Sequence, residues 1–400
     1  MTAIADLPDI RPSLLLDFAN SGRVDPRIEC TRASAATCFG PDGKLRTVAA
    51  NVPRIDYDPA TGKCLGLLVE EARTNLLRQS SLLSDAAWVK SDVLVTPSDT
   101  QNALGLNFIK LTPISGTYKT INQTLSTAIS DNQIVTFSVF AKAGEMNTIR
   151  LGVRNKANSI IAGHFNLLTG EASRQEITGK YLGDGWWRVT LSGTDMISGS
   201  ATPAVHIYSI NNGDATTPGD GVSGLYIAAP QLEFGSFPTS YIPTEGTAVT
   251  RAADVVQMTG ASFASWYRQG EGTVIVSGDS PRTDGRLLTF STGAQPNQLW
   301  LRLNSASQAA AIFKDGSYQT GFTMTTSSAG VLALAYKEND SSASYNGSPL
   351  STDTLCSPPA VDRIDIGAAY GGAAQCCGHV SRIAYYPKRL TNAQIQRLTA

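Results

Sequence analysis

The sequence predicts an all-β protein in which an irregular N-terminal segment precedes two β-sandwich domains of the jelly-roll kind. Charged residues make up only 16% of the chain, against about 25% in an average soluble domain, and there are 36 glycines. Short runs that alternate apolar and polar residues recur between Gly, Asn, Asp and Ser turns, which is typical of strands. Helices do not alternate with these runs, so a parallel α/β sheet is not expected.

Composition also limits the partners. A hydrophobic fraction of 42% excludes a disordered chain, because such a sequence can bury enough apolar surface to offset chain entropy. A net charge of −1 gives no electrostatic attraction for nucleic acid or anionic lipid. No apolar run approaches the length of a membrane span, and the first 17 residues carry charges where a signal peptide has an apolar core. We therefore expect no nucleic-acid partner, no membrane insertion and no cleaved export signal.

The strand pattern divides the chain into three parts. Residues 1–77 are rich in turns and irregular, residues 78–249 hold one run of strands, and residues 250–400 hold a second. The first part is too short for a core of its own, so we expect it to pack against a partner or a second copy. Predicted strands lie at 134–140, 186–191, 205–210, 224–229, 272–276, 287–290, 298–303, 309–313 and 331–336.

Helix signals are few. Thr391 and Gln394 have the spacing of a capping box, which predicts a short helix over 392–398 that packs through Ile395 and Leu398. Residues 84–89 are a weaker candidate.

The cysteines favour free structural thiols. A disulfide framework belongs mainly to small secreted domains, and the spacings do not match zinc-ligand pairs. We predict no metal ion and no cofactor. The six cysteines fall in two groups: Cys30, Cys38, Cys64, and Cys356, Cys376, Cys377.

Three ordered blocks in the first part carry a specific resemblance. They read TRASAAT at 31–37, VAANVPRIDYD at 48–58 and GLLVEEARTNLL at 66–77. Together they resemble the head spike fiber segment of bacteriophage and prophage virion proteins, over less than a fifth of the chain. The resemblance implies a virion protein, and the residues that match the motif are Arg32, Asn51, Arg54, Asp56, Glu70, Arg73 and Asn75.

The other two parts show resemblances at the level of the fold. FSVFAKAG at 137–144, GWWRV at 185–189, APQLEFG at 229–235 and SYIP at 240–243 are similar to carbohydrate-binding-module-like jelly rolls. GHVSRIAYYPKRLT at 378–391, followed by a short helix, is similar to the close of a laminin-G or concanavalin-A-like lectin sandwich. These resemblances imply a sugar-binding role, although a fold does not fix a function.

The acidic residues do not form an evident catalytic pair. Sugar hydrolysis needs two carboxylates about 5–9.5 Å apart, and adjacent Glu70 and Glu71 point to opposite faces of a strand. We expect Glu70 to be a partly buried carboxylate paired with Arg54 or Arg73. Asp56 shares a face with Asp58, where turn and hydrogen-bond roles are commoner than cation binding. We therefore predict no catalytic residue.

A possible calcium-binding loop and the three histidines are also better explained by structural roles than by binding or catalysis. Asn211 to Asp214, with Asp220 after them, form an oxygen-rich loop that could approach calcium, but a solvated turn is the favoured interpretation. None of the three histidines lies in a catalytic motif, so we expect them to be packed or solvent-facing; they are His164, His206 and His379.

Exposed aromatic rings are the expected sugar contacts, because a ring stacks on the C–H face of a sugar. Alternation places Trp186 and Trp187 on opposite faces, one in the core and the other exposed. Most tryptophans are buried, so each candidate competes with a core role. The candidate glycan-binding residues are Trp88, Tyr118, Trp187, Trp266, Trp300 and Tyr370.

The sequence thus favours a non-enzymatic phage surface protein, a head spike or a tail fibre, that adheres to host-surface polysaccharide. Expected partners are other virion proteins of the capsid, tail or baseplate, and further copies in a homo-oligomer, for which a trimer is the commonest arrangement in such fibres. The alternatives are a glycan-degrading tail enzyme, a depolymerase or glycosidase, and a capsid decoration protein without a ligand.

Overall fold

The computed structural model describes residues 7–116, 118–126, 129–196, 199–210, 218–305 and 308–400. Its N-terminal part contains seven short strands and one turn of helix rather than irregular chain. The elements are β1 Leu14–Asp17, α1 Phe18–Ser21, β2 Glu29–Thr31, β3 Ala36–Phe39, β4 Leu45–Val48, β5 Arg54–Tyr57, β6 Cys64–Val69 and β7 Arg73–Asn75.

The middle part forms a sandwich of two antiparallel sheets, which confirms the all-β prediction there. The sheet orders are β15-β16-β12-β18-β10-β9 and β14-β13-β17-β11-β8. The strands are β8 Val89–Ser91, β9 Val93–Pro97, β10 Ile109–Pro113, β11 Thr120–Thr124, β12 Gln133–Lys142, β13 Thr148–Arg154, β14 Ile160–Asn166, β15 Ile177–Gly183, β16 Trp186–Met196, β17 Ala204–Ile210 and β18 Leu225–Phe234.

The described residues of the last part contribute eleven strands and two helices to a second sandwich, and a twelfth strand, β19, lies outside its two sheets. A 3-10 turn covers Tyr370–Gly372. The elements are β19 Val249–Arg251, β20 Val255–Thr259, α2 Gly260–Ala264, β21 Glu271–Asp279, β22 Arg286–Ser291, β23 Gln298–Arg302, β24 Gln308–Lys314, β25 Ser317–Thr323, β26 Ala329–Lys337, β27 Asp340–Tyr345, β28 Ser351–Asp353, β29 Arg363–Ile366, β30 Gly378–Tyr386 and α3 Asn392–Thr399.

The local predictions hold with one exception. All nine predicted strand windows coincide with strands, because alternating apolar residues put one face of each strand in a core. The C-terminal helix α3 has both hydrogen bonds of its capping box. Its Ile395 side chain packs into the apolar cluster that this helix covers. The predicted helix at 84–89 is wrong: Asp85 accepts a hydrogen bond from the Ala87 N–H and starts successive turns.

The N-terminal part completes the second sandwich. The order of its larger sheet is β28-β27-β26-β21-β30-β6-β5, with β1 also paired to β30, and the other sheet is β2-β20-β29-β22-β23-β24-β25. Leu14, Leu16, Leu67 and Val69 lie in the same core as Ile383. The apolar residues of this segment are therefore buried within this chain, in a core that the segment shares with the second sandwich.

The same segment also contacts the first sandwich. The β3–β4 hairpin places Phe39 and Leu45 against the cluster that contains Phe140 and Trp186, on the outer face of the six-stranded sheet. Strand β7 pairs with β19 where the chain passes between the two sandwiches. The first part of the chain thus joins both sandwiches and sets how they meet.

All six cysteines are free thiols, and four of them are buried. Within the described residues, no helix is long and apolar enough to cross a membrane.

We predict that Leu67→Ala destabilises the second sandwich by about 2–5 kcal/mol, because it leaves a cavity around a fully buried position. Hydrogen exchange of the β30 amides, read by mass spectrometry, should accelerate accordingly, while exchange in β12 stays unchanged. Leu15→Ala is the matched control, since Leu15 is 48% exposed on β1 of the same sheet and should cost less than about 0.5 kcal/mol. Equal acceleration in β12 would contradict a core shared only by the N-terminal part and the second sandwich.

Candidate functional site

The motif residues converge on a buried ion network, which we define as Arg32, Arg54, Glu70, Arg251 and Asp254. Asp254 is 1% exposed and accepts hydrogen bonds from Arg32, at 2.9 Å, and from Arg54. The Glu70 backbone N–H donates to the same carboxylate at 2.9 Å. All three blocks of the N-terminal motif are therefore tied to the start of the second strand run.

Glu70 is the second anion of the buried ion network. Its carboxylate pairs with Arg54 at 2.8 Å and with Arg251 at 3.0 Å, and it accepts two hydrogen bonds from Ser240. Burial alone would raise the pKa of Glu70, but Arg251 and Arg54, helped by Ser240, outweigh it and lower the pKa to about 2. Glu70 is thus held ionised, and the predicted pairing with Arg54 is present.

The neighbouring Glu71 pairs with two other arginines, outside the buried ion network. It accepts from Arg73, with the closest approach at 2.6 Å, and from Arg282, which follows β21. Arg73 therefore serves Glu71 and not Glu70, and its guanidinium also lies 4.9 Å from the Phe237 ring centroid.

The other motif residues fix backbone turns. Arg32 donates to the carbonyls of Ala49 and Val52, and Asn51 accepts from the Arg32 N–H at 2.9 Å. Asn75 donates to the Ile242 carbonyl at 2.9 Å. These contacts give the motif a structural role within the chain.

A cleft of about 430 Å³ lies between the two sandwiches, beside the buried ion network. One wall is the outer face of β15, β16 and β12, and the other comes from β5, β21 and β30. Its polar lining includes Asp56, Glu70, Thr178, Lys180, Arg188, Thr190, Ser240, Asp279, Ser328 and His379, and its aromatic lining is Phe39, Phe140, Phe237 and Tyr241.

His379 bridges two carboxylates on one wall of the cleft. Its Nδ1 lies 2.8 Å from Asp279 and its Nε2 lies 2.9 Å from Asp56. Both partners are acceptors, so both ring nitrogens carry hydrogen and the imidazole is a cation. Burial would lower the pKa of His379, but the hydrogen bonds to Asp279 and Asp56 outweigh it and raise the pKa to about 9.

The opposite wall carries cations. Arg188 lies on β16 with its guanidinium 5.5 Å from the Phe140 ring centroid, and Lys180 faces it from β15. Desolvation lowers the pKa of Arg188. The cleft therefore offers hydrogen-bond donors, acceptors and rings together, which suits a polar ligand with an apolar face.

The buried tryptophans correct three of the predicted sugar contacts. Trp88 is 0% exposed, and Trp266 and Trp300 are each 4% exposed, so these rings cannot stack on a sugar. Trp266 packs edge-on against Phe263 and Tyr385, inside the second core. The Trp300 ring is covered by guanidinium groups 4.8 and 4.9 Å from its centroid.

The remaining aromatic candidates lie apart from the cleft. Trp187 is partly buried, contacts Phe165 and Tyr181, and donates to the Leu167 carbonyl at 2.9 Å, so it has a packing role. Trp186, the expected core partner, is buried. Tyr118 is 68% exposed and Tyr370 is half-buried. The structure does not bring Tyr118, Trp187 and Tyr370 to one surface of the cleft.

The possible calcium loop falls mainly outside the described residues, which exclude 211–217. Asp220 lies within them, and its carboxylate accepts from the N–H groups of Val222 and Ser223 and from the Ser223 hydroxyl. The Asp220 carboxylate therefore caps the turn in which it lies. Among the described residues, no cluster of three or more His, Cys, Asp or Glu side chains could hold a metal ion.

Several site residues were not anticipated from the sequence. Asp254 and Arg251 lie some 180 residues after Glu70 and have no motif of their own. His379 carries no catalytic spacing, and Arg188 looked like an ordinary strand residue. Only the pairing of distant strands brings them together.

Comparison with known proteins gives a limited result. No family model matches the chain, and neither does any curated protein. Domains LG4-5 of the mouse laminin alpha1 chain align at 11% identity and a TM-score of 0.23, over 79% of this chain and 88% of that one. A Trypanosoma rangeli sialidase in complex with the inhibitor DANA aligns at 12% identity and a TM-score of 0.25, over 77% of this chain and 62% of that one. Overlaps this weak carry no argument about function.

We predict that Glu70→Gln lowers the free energy of unfolding by about 3–5 kcal/mol at pH 7, because it leaves buried arginines without their anion. The pKa of Glu70 is depressed, so its contribution is present above about pH 4.5 and is lost as the pH falls towards 2. The difference between variant and wild type, from urea unfolding at several pH values, should shrink over that window. Glu176→Gln, in an exposed ion pair, is the matched control and should cost far less, because solvent screens that pair.

We predict that His379 titrates near pH 9 in an NMR pH series, while His164, whose pKa burial lowers, titrates below 6.5 in the same spectra. Because the folded pKa is raised, the stabilisation from His379 is complete below about pH 6.5 and is lost as the pH rises through 9. Asp56→Asn should bring the His379 titration to lower pH. A His379 that titrates at or below 6.5 in the wild type would contradict the bridge between the two carboxylates.

Proposed function

We propose that this chain is a non-enzymatic surface protein of a phage virion that binds host-surface glycan in the cleft between its two sandwiches. The observation that carries the binding role is the cleft itself, where the half-buried rings of Phe39 and Phe237 and hydrogen-bonding side chains from both walls face one space. Such lining suits a sugar, whose hydroxyl groups need polar partners and whose C–H faces pack on rings.

The virion role rests on the resemblance of the three N-terminal blocks to head spike fiber segments. Within the chain, the charged residues of those blocks act together, because they build the buried ion network with Asp254. We propose a homo-oligomer, a trimer, attached to capsid, tail or baseplate proteins, in which many copies raise the avidity of weak glycan binding. Mass spectrometry of purified particles tests this role, and absence of the protein from them would overturn it.

A glycan-degrading enzyme is the alternative of another class. Within the described part of the cleft, Glu70 is held ionised by two arginines and Asp56 and Asp279 share a histidine cation, so no carboxyl group there is set up as a general acid. Release of oligosaccharides from host capsule or lipopolysaccharide on incubation with the protein would favour the enzyme. A capsid decoration protein without a ligand would instead bind nothing on a glycan array.

We predict that Thr178→Trp reduces glycan binding at least about tenfold, because the indole fills the cleft that the exposed Thr178 lines. The measurement is a glycan array followed by calorimetry with the best binder. Thr124→Trp is the matched control, since Thr124 is an exposed strand residue of the other sheet and does not line the cleft. Equal affinities of both variants and the wild type would exclude the cleft as the binding site.

A further inference from the structure

Arg188 is a half-buried cation that the fold leaves without a paired anion. Its Nη2 donates to the Ser138 hydroxyl at 3.0 Å, and its Nε is buried without a hydrogen-bond partner. Among the described residues no carboxylate forms an ion pair with it. Charges that are partly removed from water are normally paired, so an anion from outside the chain would stabilise this position.

The carboxylates nearest in the fold are already engaged. Glu233 accepts from Gln231 and twice from Thr239, and Glu70 belongs to the buried ion network. Neither is within ion-pair distance of Arg188, although their charges act on it. The chain thus keeps its own anions away from this guanidinium.

A second cation stands directly across from the first. Lys180 on β15 is the register partner of Arg188 on β16, so both side chains rise from the same face of the sheet into the cleft. Like charges at directly opposite positions destabilise a sheet. Lys180 is exposed. The pair therefore presents two positive groups to whatever enters between the sandwiches.

The other wall does not cancel this charge. Asp56 and Asp279 lie there, but the His379 cation sits between them and uses one oxygen of each. Glu70 is neutralised by Arg54 and Arg251. His379 leaves a net charge of −1 on Asp56 and Asp279, and the three arginines of the buried ion network leave +1 on Glu70 and Asp254, so this wall is neutral overall.

We infer that the glycan bound in the cleft is acidic, and that its anionic group, a carboxylate or a phosphate, pairs with Arg188 and Lys180. The inference rests on the proposed function and adds the class of sugar. Arg188 keeps guanidinium N–H donors besides the one that bonds Ser138, and these suit the oxygens of either group, while Thr178 lies on the same face of β15 to hydrogen-bond the sugar hydroxyls.

The test uses three sugars that differ in their charged group: glucuronic acid, glucose 6-phosphate and glucose. Affinities for the full chain are measured by ligand-observed NMR titration. We expect at least one acidic sugar to bind about 10- to 100-fold more tightly than glucose, and Arg188→Gln to remove that difference while Arg188→Lys keeps part of it. Tighter binding of glucuronic acid assigns a carboxylate, and tighter binding of glucose 6-phosphate assigns a phosphate.

Arg150→Gln is the matched control. Arg150 also stacks on a ring, with its guanidinium 4.8 Å from the Tyr208 centroid, and its Nε is also unpartnered, but it does not line the cleft. Its variant should bind like the wild type. Removal of a half-buried, unpaired charge at Arg188 should not unfold the chain, and hydrogen exchange of β16 checks this.

The outcomes separate the two proposals. Equal binding of all three sugars, or an acidic preference that survives Arg188→Gln, overturns the inference and leaves glycan binding in place. No binding of these sugars, together with a glycan array on which nothing binds, overturns the proposed function and the inference with it.

Discussion

The salt link between Asp254 and the two arginines Arg32 and Arg54 is the interaction on which the rest of the molecule depends. Buried ion pairs recover their desolvation cost only when every charge has several well-placed partners. Here Asp254 also accepts from the Glu70 backbone, and Glu70 in turn pairs with Arg54 and Arg251. The network therefore fixes one arrangement of three distant chain segments, because any other leaves a charge buried alone.

That arrangement creates the cleft. Its cationic wall belongs to the first sandwich, and the wall with Asp56 and His379 combines an N-terminal strand with the second sandwich. Neither sandwich has the site by itself. The N-terminal part supplies the β3–β4 hairpin to one side and β1, β5 and β6 to the other, so the width of the cleft depends on this part remaining docked on both.

Sequence patterns predicted the strands well and the site poorly. Alternation revealed nine strands, and the capping box located α3, because both signals are local. Alternation gives the two faces of a strand but not what covers each face, so Trp186 and Trp187 both found packing partners and Trp300 was covered by arginines. The pairing of Glu70 with Arg54 could be expected from the motif. Asp254 and His379 could not, since their partners lie far away in the sequence.

The pairing of β1 with β30 has a consequence for how the chain folds. Leu14 lies opposite Tyr385, so the larger sheet of the second sandwich joins residues from the two ends of the sequence. The first sandwich, in contrast, closes within residues 89–234. Contacts between residues so far apart in the sequence form late, because the entropy cost of closing a long loop comes before the contacts can lower the free energy. During synthesis, the first sandwich can therefore fold on the ribosome. The apolar strands β1 and β6 precede it in the chain, and they lack their shared partner until β30 has been synthesised.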